Sequence, residues 1–256
     1  MQISNEKYYR IIQSVLSKYE YSALPEEVRK GFEKEIRIRL SWNTNSLEGN
    51  TLTLEETVDA LEYDEVRSGH TYSEYTEAKT AYLANCELSF TARKETNLEL
   101  LHRINGIIMG TDGSFRTRQG YVGSIAEVAW MPAKPDEISG KMEQWLQNVR
   151  ENRLEEDIAR KIRRIAELHL QFEMIHPFQD GNGRTGRFVM DQMLLNEGLM
   201  PAIILNQSKY RQAFRIYERN CDTALMEYCI AAGVTRTCEI LENICRKLSI
   251  PEAKCP

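Results

Sequence analysis

The sequence has no uninterrupted apolar run near the roughly eighteen residues that a membrane-spanning helix requires, so no span is expected. Its opening stretch, MQISNEKYYRIIQSV, lacks an apolar core followed by small residues, so no secretory leader is expected either. None of the six cysteines falls in a CxxC pair, and four of them lie within helical patterns near the C-terminus. That usage argues against a disulfide frame or a cysteine zinc site, and for reduced thiols in the cytoplasm. A basic surplus is also missing. Thirty-three Lys and Arg stand against 38 Asp and Glu, a net charge of -5, which argues against a general nucleic-acid binder. There is no internal repeat, low-complexity run or flexible linker. At 256 residues the chain can bury one substantial core, and we read one helical domain with an N-terminal helical arm.

Helical periodicity runs through nearly the whole length. Tyr8, Ile11, Ile12, Val15, Leu16 and Tyr19 share a helical spacing over residues 4–20. A second helix is expected over 25–48, opened by Pro25 with Glu26 and Glu27 in its first turn and ended by Gly49. Thr53-Leu54-Glu55-Glu56 reads as a capping box that starts a third. Residues 66–73 read as a loop, with helices resuming at 75–92 and 97–109. Four glycines punctuate 110–135, where Tyr121-Val122 and Val128-Ala129-Trp130 read as two short strands around a turn. Helices are expected to follow at about 136–149, 154–174, 184–197, 209–219, 221–232 and 235–248.

One segment concentrates chemistry: His176-Pro177-Phe178-Gln179-Asp180-Gly181-Asn182-Gly183-Arg184-Thr185-Gly186-Arg187. It connects two helices and places Gly181-Asn182-Gly183 at the N-terminus of the second. Free N–H groups and the helix dipole favour an anion there, and the glycines let a phosphate approach the backbone. Arg184 and Arg187 lie three apart, on one helix face, and can hold separate phosphate oxygens. Asp180 is suited to a Mg²⁺ whose other positions are filled by phosphate and water. His176 can take a proton from an attacking hydroxyl. Phe178 reads as a core anchor for the loop. Taken singly, each piece has a plainer explanation: a structural histidine, a tight turn, a solvated arginine pair. Their order and spacing together point to phosphoryl or nucleotidyl transfer.

The same residues fill every specified position of HPFx(D/E)GNGRxxR, the signature of the Fic family, which the chain resembles over about residues 97–232. The resemblance implies an all-α Fic fold with a short β-hairpin flap. Its implied boundaries are an N-terminal region 1–96 with an inhibitory helix at about 30–48, a core over 97–232, and a C-terminal helix and tail over 233–256. It implies an enzyme that moves AMP from ATP onto a hydroxyl side chain of a target protein. His176 would be the general base and Asp180 would hold Mg²⁺ bridging the α- and β-phosphates. Gly181, Asn182 and Gly183 would form the anion hole. Arg184 would meet the β-phosphate and Arg187 the γ-phosphate. The flap, with Tyr121, Val122, Gly123 and Trp130, would align a target segment through its main chain, although a plain surface hairpin fits the same residues. Tyr210 through Asn220 resembles the helix that closes over adenine. Phe214 would stack on the base or serve as a core aromatic, and Asn220 would contact base or ribose.

A second match lies upstream. Thr44-Asn45-Ser46-Leu47-Glu48-Gly49 fits the family's inhibitory pattern (S/T)xxxE(G/N). A glutamate in the last helical turn faces the negative end of the helix dipole, an unfavourable place unless a cation compensates. By resemblance that cation is Arg187, with Thr44 helping to seat the helix; otherwise Glu48 is simply solvated beside a terminating glycine. The implied partner is a protein with an acceptor Ser, Thr or Tyr. Auto-modification, a homodimer, another donor, hydrolytic removal of AMP, and a nucleotide-binding module without turnover all stay open at this point.

Overall fold

The computed structural model describes residues 4–65, 67–123, 128–151 and 157–252. Among them run α1 (Glu6–Lys18), α2 (Glu26–Glu48), α3 (Leu54–Glu62), α4 (Tyr72–Asn85), α5 (Leu98–Met109), α6 (Ile138–Glu151), α7 (Ile158–Ile175), α8 (Asn182–Asn196), α9 (Gln207–Asn220) and α10 (Ala224–Lys247). A hairpin of β1 (Val122–Gly123) and β2 (Val128–Trp130) interrupts them. The all-helical expectation and the hairpin both hold.

The helix starts follow capping chemistry. Thr53 with Glu56, and Thr71 with Glu74, form reciprocal capping boxes at α3 and α4. Asn97, Asp157 and Asn206 cap α5, α7 and α9 by accepting a backbone N–H three residues on. Gly49 ends α2 in the left-handed conformation, at φ 101°.

The core is centred on α7, which packs against α6, α8 and α10. Phe172, Ile162, Ile165, Phe188, Met190, Met226, Ile230 and Val234 are all essentially buried there. Trp145 of α6 is buried too, and its Nε1–H donates to the Leu168 carbonyl at 2.8 Å. Each such side chain contributes about 1.5–3 kcal/mol relative to exposure, which makes α7 and α8 a rigid platform for the loop between them. Helix α2 lies across α4, α8 and α10, burying Phe32, Ile36, Leu40 and Leu47. It also buries Asn43 and Thr44, polar groups that need partners.

Several expectations are corrected. The helix expected at 75–92 begins at Tyr72, because of the Thr71 box, and ends at Asn85. Asn85 turns its amide to Ser41 Oγ at 2.9 Å, and Ser89 N–H donates to Gln192 Oε1 at 3.0 Å, which fixes the exit from the helix. The two helices expected at 221–232 and 235–248 are the single α10. Gly233 does not stop it. A Cβ at that position would lie 2.8 Å from the Ile203 carbonyl, so the glycine allows close packing. Helix α8 starts at Asn182, two residues before its expected start, so Asn182 and Gly183 belong to its first turn. The hairpin pairs Val122 with Trp130 and Gly123 with Val128, with an irregularity between. Its turn, 124–127, and the expected helix start at 154 lie outside the described residues. No helix among the described residues is long and apolar enough to cross a membrane.

Candidate active site

The loop between α7 and α8 is braced from three sides. His176, the C-cap of α7, has a left-handed backbone at φ 51°, which a side chain other than glycine adopts at some cost. Arg116 holds it there. Buried to 6% exposure, its guanidinium donates to the carbonyls of His176 (2.8 Å), Arg118 (3.0 Å) and Ala133. Its backbone N–H also donates to the Pro177 carbonyl at 2.9 Å. One cation thus neutralises the C-terminus of α7 and joins both arms of the hairpin to His176. Phe178 is fully buried beside Phe115, as a core anchor should be. Asn182 closes the loop: its amide donates to the Phe178 carbonyl and its oxygen accepts Phe178 N–H, both at 2.8 Å. The Asn182 side chain is committed to the loop, so what it can offer an anion is its backbone N–H.

The first turn of α8 has the character of an anion nest. Gly181 caps it at φ 75° with no side-chain cap, leaving first-turn N–H groups without intrahelical acceptors. A Cβ on Gly181 would lie 2.8 Å from Met109 Sδ, and one on Gly183 would run into the Glu48 carboxylate. Asn105 braces this turn from α5, donating to the Asp180 carbonyl (2.9 Å) and to Thr185 Oγ1 (3.2 Å). Asp180 is exposed, and one of its oxygens accepts Gly181 N–H at 2.5 Å. No cluster of three or more metal-ligating side chains occurs among the described residues. A single exposed carboxylate beside a phosphate nest suits Mg²⁺, which keeps water and phosphate as most of its ligands. Arg184 rests against Met109 Sδ at 3.3 Å, and its Nε is buried without a hydrogen-bond partner.

Arg187 is 5% exposed, with four of its five donors engaged. Its Nη2 donates to Glu48 Oε1 at 2.5 Å and to the Thr44 carbonyl at 3.2 Å, and its Nε to Thr44 Oγ1 at 2.8 Å. Nη1 reaches the Tyr210 hydroxyl at 3.5 Å. Although 44% of Glu48's side-chain surface stays exposed, its carboxylate lies against Gly183 and Arg187. Burial alone would push that carboxyl's pKa up. The charge and hydrogen bond of Arg187, with Arg184 and Arg211, outweigh this and hold it below the usual carboxylate range. The end of α2 is pinned from α9: Arg211 donates to the Leu47 carbonyl at 2.8 Å, and Gln207 to the Ser46 and Leu47 carbonyls at 3.1 and 3.2 Å. These donors satisfy the orphan carbonyls that make a glutamate awkward at this place. Farther along, Asn43 exchanges two hydrogen bonds with the backbone of Ile204.

These residues line a cleft of about 180 Å³ bounded by Leu47, Glu48, Val122, Glu173, His176, Gly183, Arg187, Tyr210, Arg211 and Phe214. Phe214 is both a core aromatic and a wall, 5.0 Å from Tyr210 and 5.9 Å from Trp130, ring centre to ring centre. Tyr121 is exposed at the hairpin's base, and Gly123, at φ 115°, is exposed as well. Asn220 is not brought in. It ends α9, exposed, six residues past Phe214 and off the face that Gln207, Tyr210, Arg211 and Phe214 present. Sequence reading passed over Arg116, Asn105, Glu173 and Gln207. Tyr210 and Arg211 stood in the stretch read for adenine, where they received no role.

Residues 94–194 match the Fic/DOC family. The chain carries a Fic/DOC domain. Curated relatives include the protein adenylyltransferase Fic of Culex quinquefasciatus, 31% identical over 195 residues, covering 71% of this chain and 37% of the relative. Another is protein adenylyltransferase fic-1 of Caenorhabditis briggsae, 31% identical over 173 residues, covering 64% of this chain and 32% of the relative. The chain thus spans about a third of the length of these relatives. Among solved structures, a Fic domain containing signaling protein from Bacteroides thetaiotaomicron superposes with a TM-score of 0.74 at 20% identity, over 95% of this chain and 97% of that one. Fic-1 (residues 134–508) from C. elegans superposes with a TM-score of 0.76 at 20% identity, over 95% of this chain and 73% of that one. The Fic domain's fold, with its small hairpin ahead of the motif, is the fold found here.

Proposed function

We propose that this Fic domain transfers AMP from ATP to a hydroxyl side chain of a target protein, and that Glu48 restrains it by occupying Arg187. The observation that carries the reading is the Glu48–Arg187 ion pair inside a cleft whose other walls are the phosphate nest and His176. An arginine placed for a terminal phosphate already holds an anion contributed by α2.

In the transfer, the target hydroxyl oxygen attacks the α-phosphorus while its proton passes to His176. The bond to the β-phosphate bridging oxygen breaks and pyrophosphate leaves. The first-turn N–H groups at Asn182 and Gly183, with Arg184, face the charge that develops on the phosphate oxygens. Asp180 would hold Mg²⁺, which when bound neutralises phosphate charge. Arg187, once released by Glu48, takes the γ-phosphate. The hairpin's irregular edge beside Trp130 presents backbone groups to an extended target segment carrying a Ser, Thr or Tyr, with auto-modification as one route. Cysteine usage supports a cytoplasmic setting.

The test uses Glu48→Gly protein with ATP radiolabelled at either the α- or the γ-phosphate. Label entering protein from the α-position alone is expected. Label from the γ-position would make it a phosphoryl transfer, and none from either would remove the proposal.

A further inference from the structure

Glu173 stands outside the motif, yet it lines the cleft. Helix α7 places it three residues before His176, on the same face. It is 4% exposed, and among the described residues neither Lys nor Arg pairs with it. Its Oε1 and the Nδ1 of His176 are both buried and lack hydrogen-bond partners. Its Oε2 lies 3.7 Å from that Nδ1. A buried carboxylate without a partner is costly, and so is a buried ring nitrogen. Here the unpartnered Nδ1 faces the other oxygen of that carboxylate, Oε2, slightly beyond hydrogen-bond distance, as such pairs commonly do before substrate binds.

Two neighbours fit the same picture. His169, one turn earlier, has its Nε2 on the Tyr210 hydroxyl at 2.7 Å, while its Nδ1 is buried without a hydrogen-bond partner. Burial pushes its pKa down to about 4, although the charge of Glu173 opposes that, so it stays a neutral neighbour. Gly186, in the unspecified part of the motif, lies where a Cβ would come within 2.5 Å of Glu173 Oε1. The glycine keeps room for the carboxylate.

Building on the proposed function, we infer that Glu173 is the positioning residue of His176, accepting its Nδ1–H and so fixing the tautomer whose Nε2 is left to receive the hydroxyl proton. A carboxylate behind the imidazole also stabilises the imidazolium formed in the step. The chain then uses α7 to supply both the base and its orienter, and α8 to supply the anion nest.

The sequence holds four histidines, so ¹⁵N-histidine NMR can follow each ring, with the His176 signals assigned by their loss in His176→Gln. Native protein is expected to show His176 as the Nδ1–H tautomer, and Glu173→Met, which keeps the volume and removes the acceptor, is expected to lose that preference. In the Glu48→Gly background, Glu173→Met should lower kcat about 100-fold with KM for ATP within about twofold. Glu173→Gln serves as the second variant if the Met protein does not fold, with a smaller fall in kcat at unchanged KM expected. An unchanged tautomer, or a raised KM with kcat intact, would overturn the assignment and make Glu173 a wall of the ATP pocket. If Glu48→Gly itself transfers nothing, the functional reading fails, while the tautomer comparison still decides the role of Glu173.

Discussion

Arg187 and Glu48 meet at 2.5 Å although they lie 139 positions apart in the chain. The pair joins the first turns of α8 to the end of α2. Thr44 and Tyr210 take three more of the guanidinium's five donors, so a ligand must displace Glu48 to reach the Nη2 edge. Removing the carboxylate should therefore change ATP binding before it changes anything else. Glu48→Gly is expected to bind ATP about tenfold more tightly than native protein, read by calorimetry in the presence of Mg²⁺. Without ATP the variant should be about 1–2 kcal/mol less stable, a modest figure because Glu48 is nearly half exposed.

The pH dependence of this latch follows from the direction of the Glu48 shift. Its folded pKa lies below the ordinary value of 4.5. The stabilisation it contributes is then fully present above about pH 4.5 and is lost as pH falls through the folded value. The melting-temperature gap between native protein and Glu48→Gln should be constant from pH 7 to about 5 and close below 4.5. A gap that closed between pH 7 and 5 would contradict the assignment. On the proposed reading, mild acidification should leave the Glu48–Arg187 pair closed.

Arg116 should matter to His176 without touching substrate. Arg116→Lys keeps the charge but cannot reach three carbonyls at once, leaving those of Arg118 and Ala133 short of a donor. A loss of about 2 kcal/mol is expected in urea unfolding. In the Glu48→Gly background kcat should fall, because the left-handed backbone that aims His176 is no longer held.

The double hydrogen bond between Asn182 and Phe178 gives a further prediction. Asn182→Ala leaves two buried backbone groups unpaired and should cost about 2–4 kcal/mol. Asn182→Asp keeps the acceptor for Phe178 N–H but loses the donor, and should fall between native and Ala when melting is compared at pH 7.

How much of this was legible beforehand differs from residue to residue. The motif from His176 to Arg187 could be read directly, since its chemistry is contiguous and its spacing specific. The partnership of Glu48 needed both the dipole argument and a family pattern, because no local signal says which distant cation will compensate a helix end. Arg116 carried no signal at all: a lone arginine in a glycine-rich stretch looks solvated until the fold wraps four carbonyls around it. The break expected between 232 and 235 is not there, and Gly233 within it serves close packing against Ile203, which only the fold brings into view. Asn220 lies six residues along α9 from Phe214, off the face that lines the cleft, so its suggested contact rests on the resemblance alone.

The central claim is that Glu48 restrains an AMP transfer that needs His176. It is tested most directly by following label from ATP marked at the α-phosphate into protein, comparing native chain, Glu48→Gly, and Glu48→Gly with His176→Ala. Weak labelling in the native chain, at least about tenfold more in Glu48→Gly, and none in the double variant is the predicted result. Equal labelling in the first two, or labelling that survives the loss of His176, would contradict it.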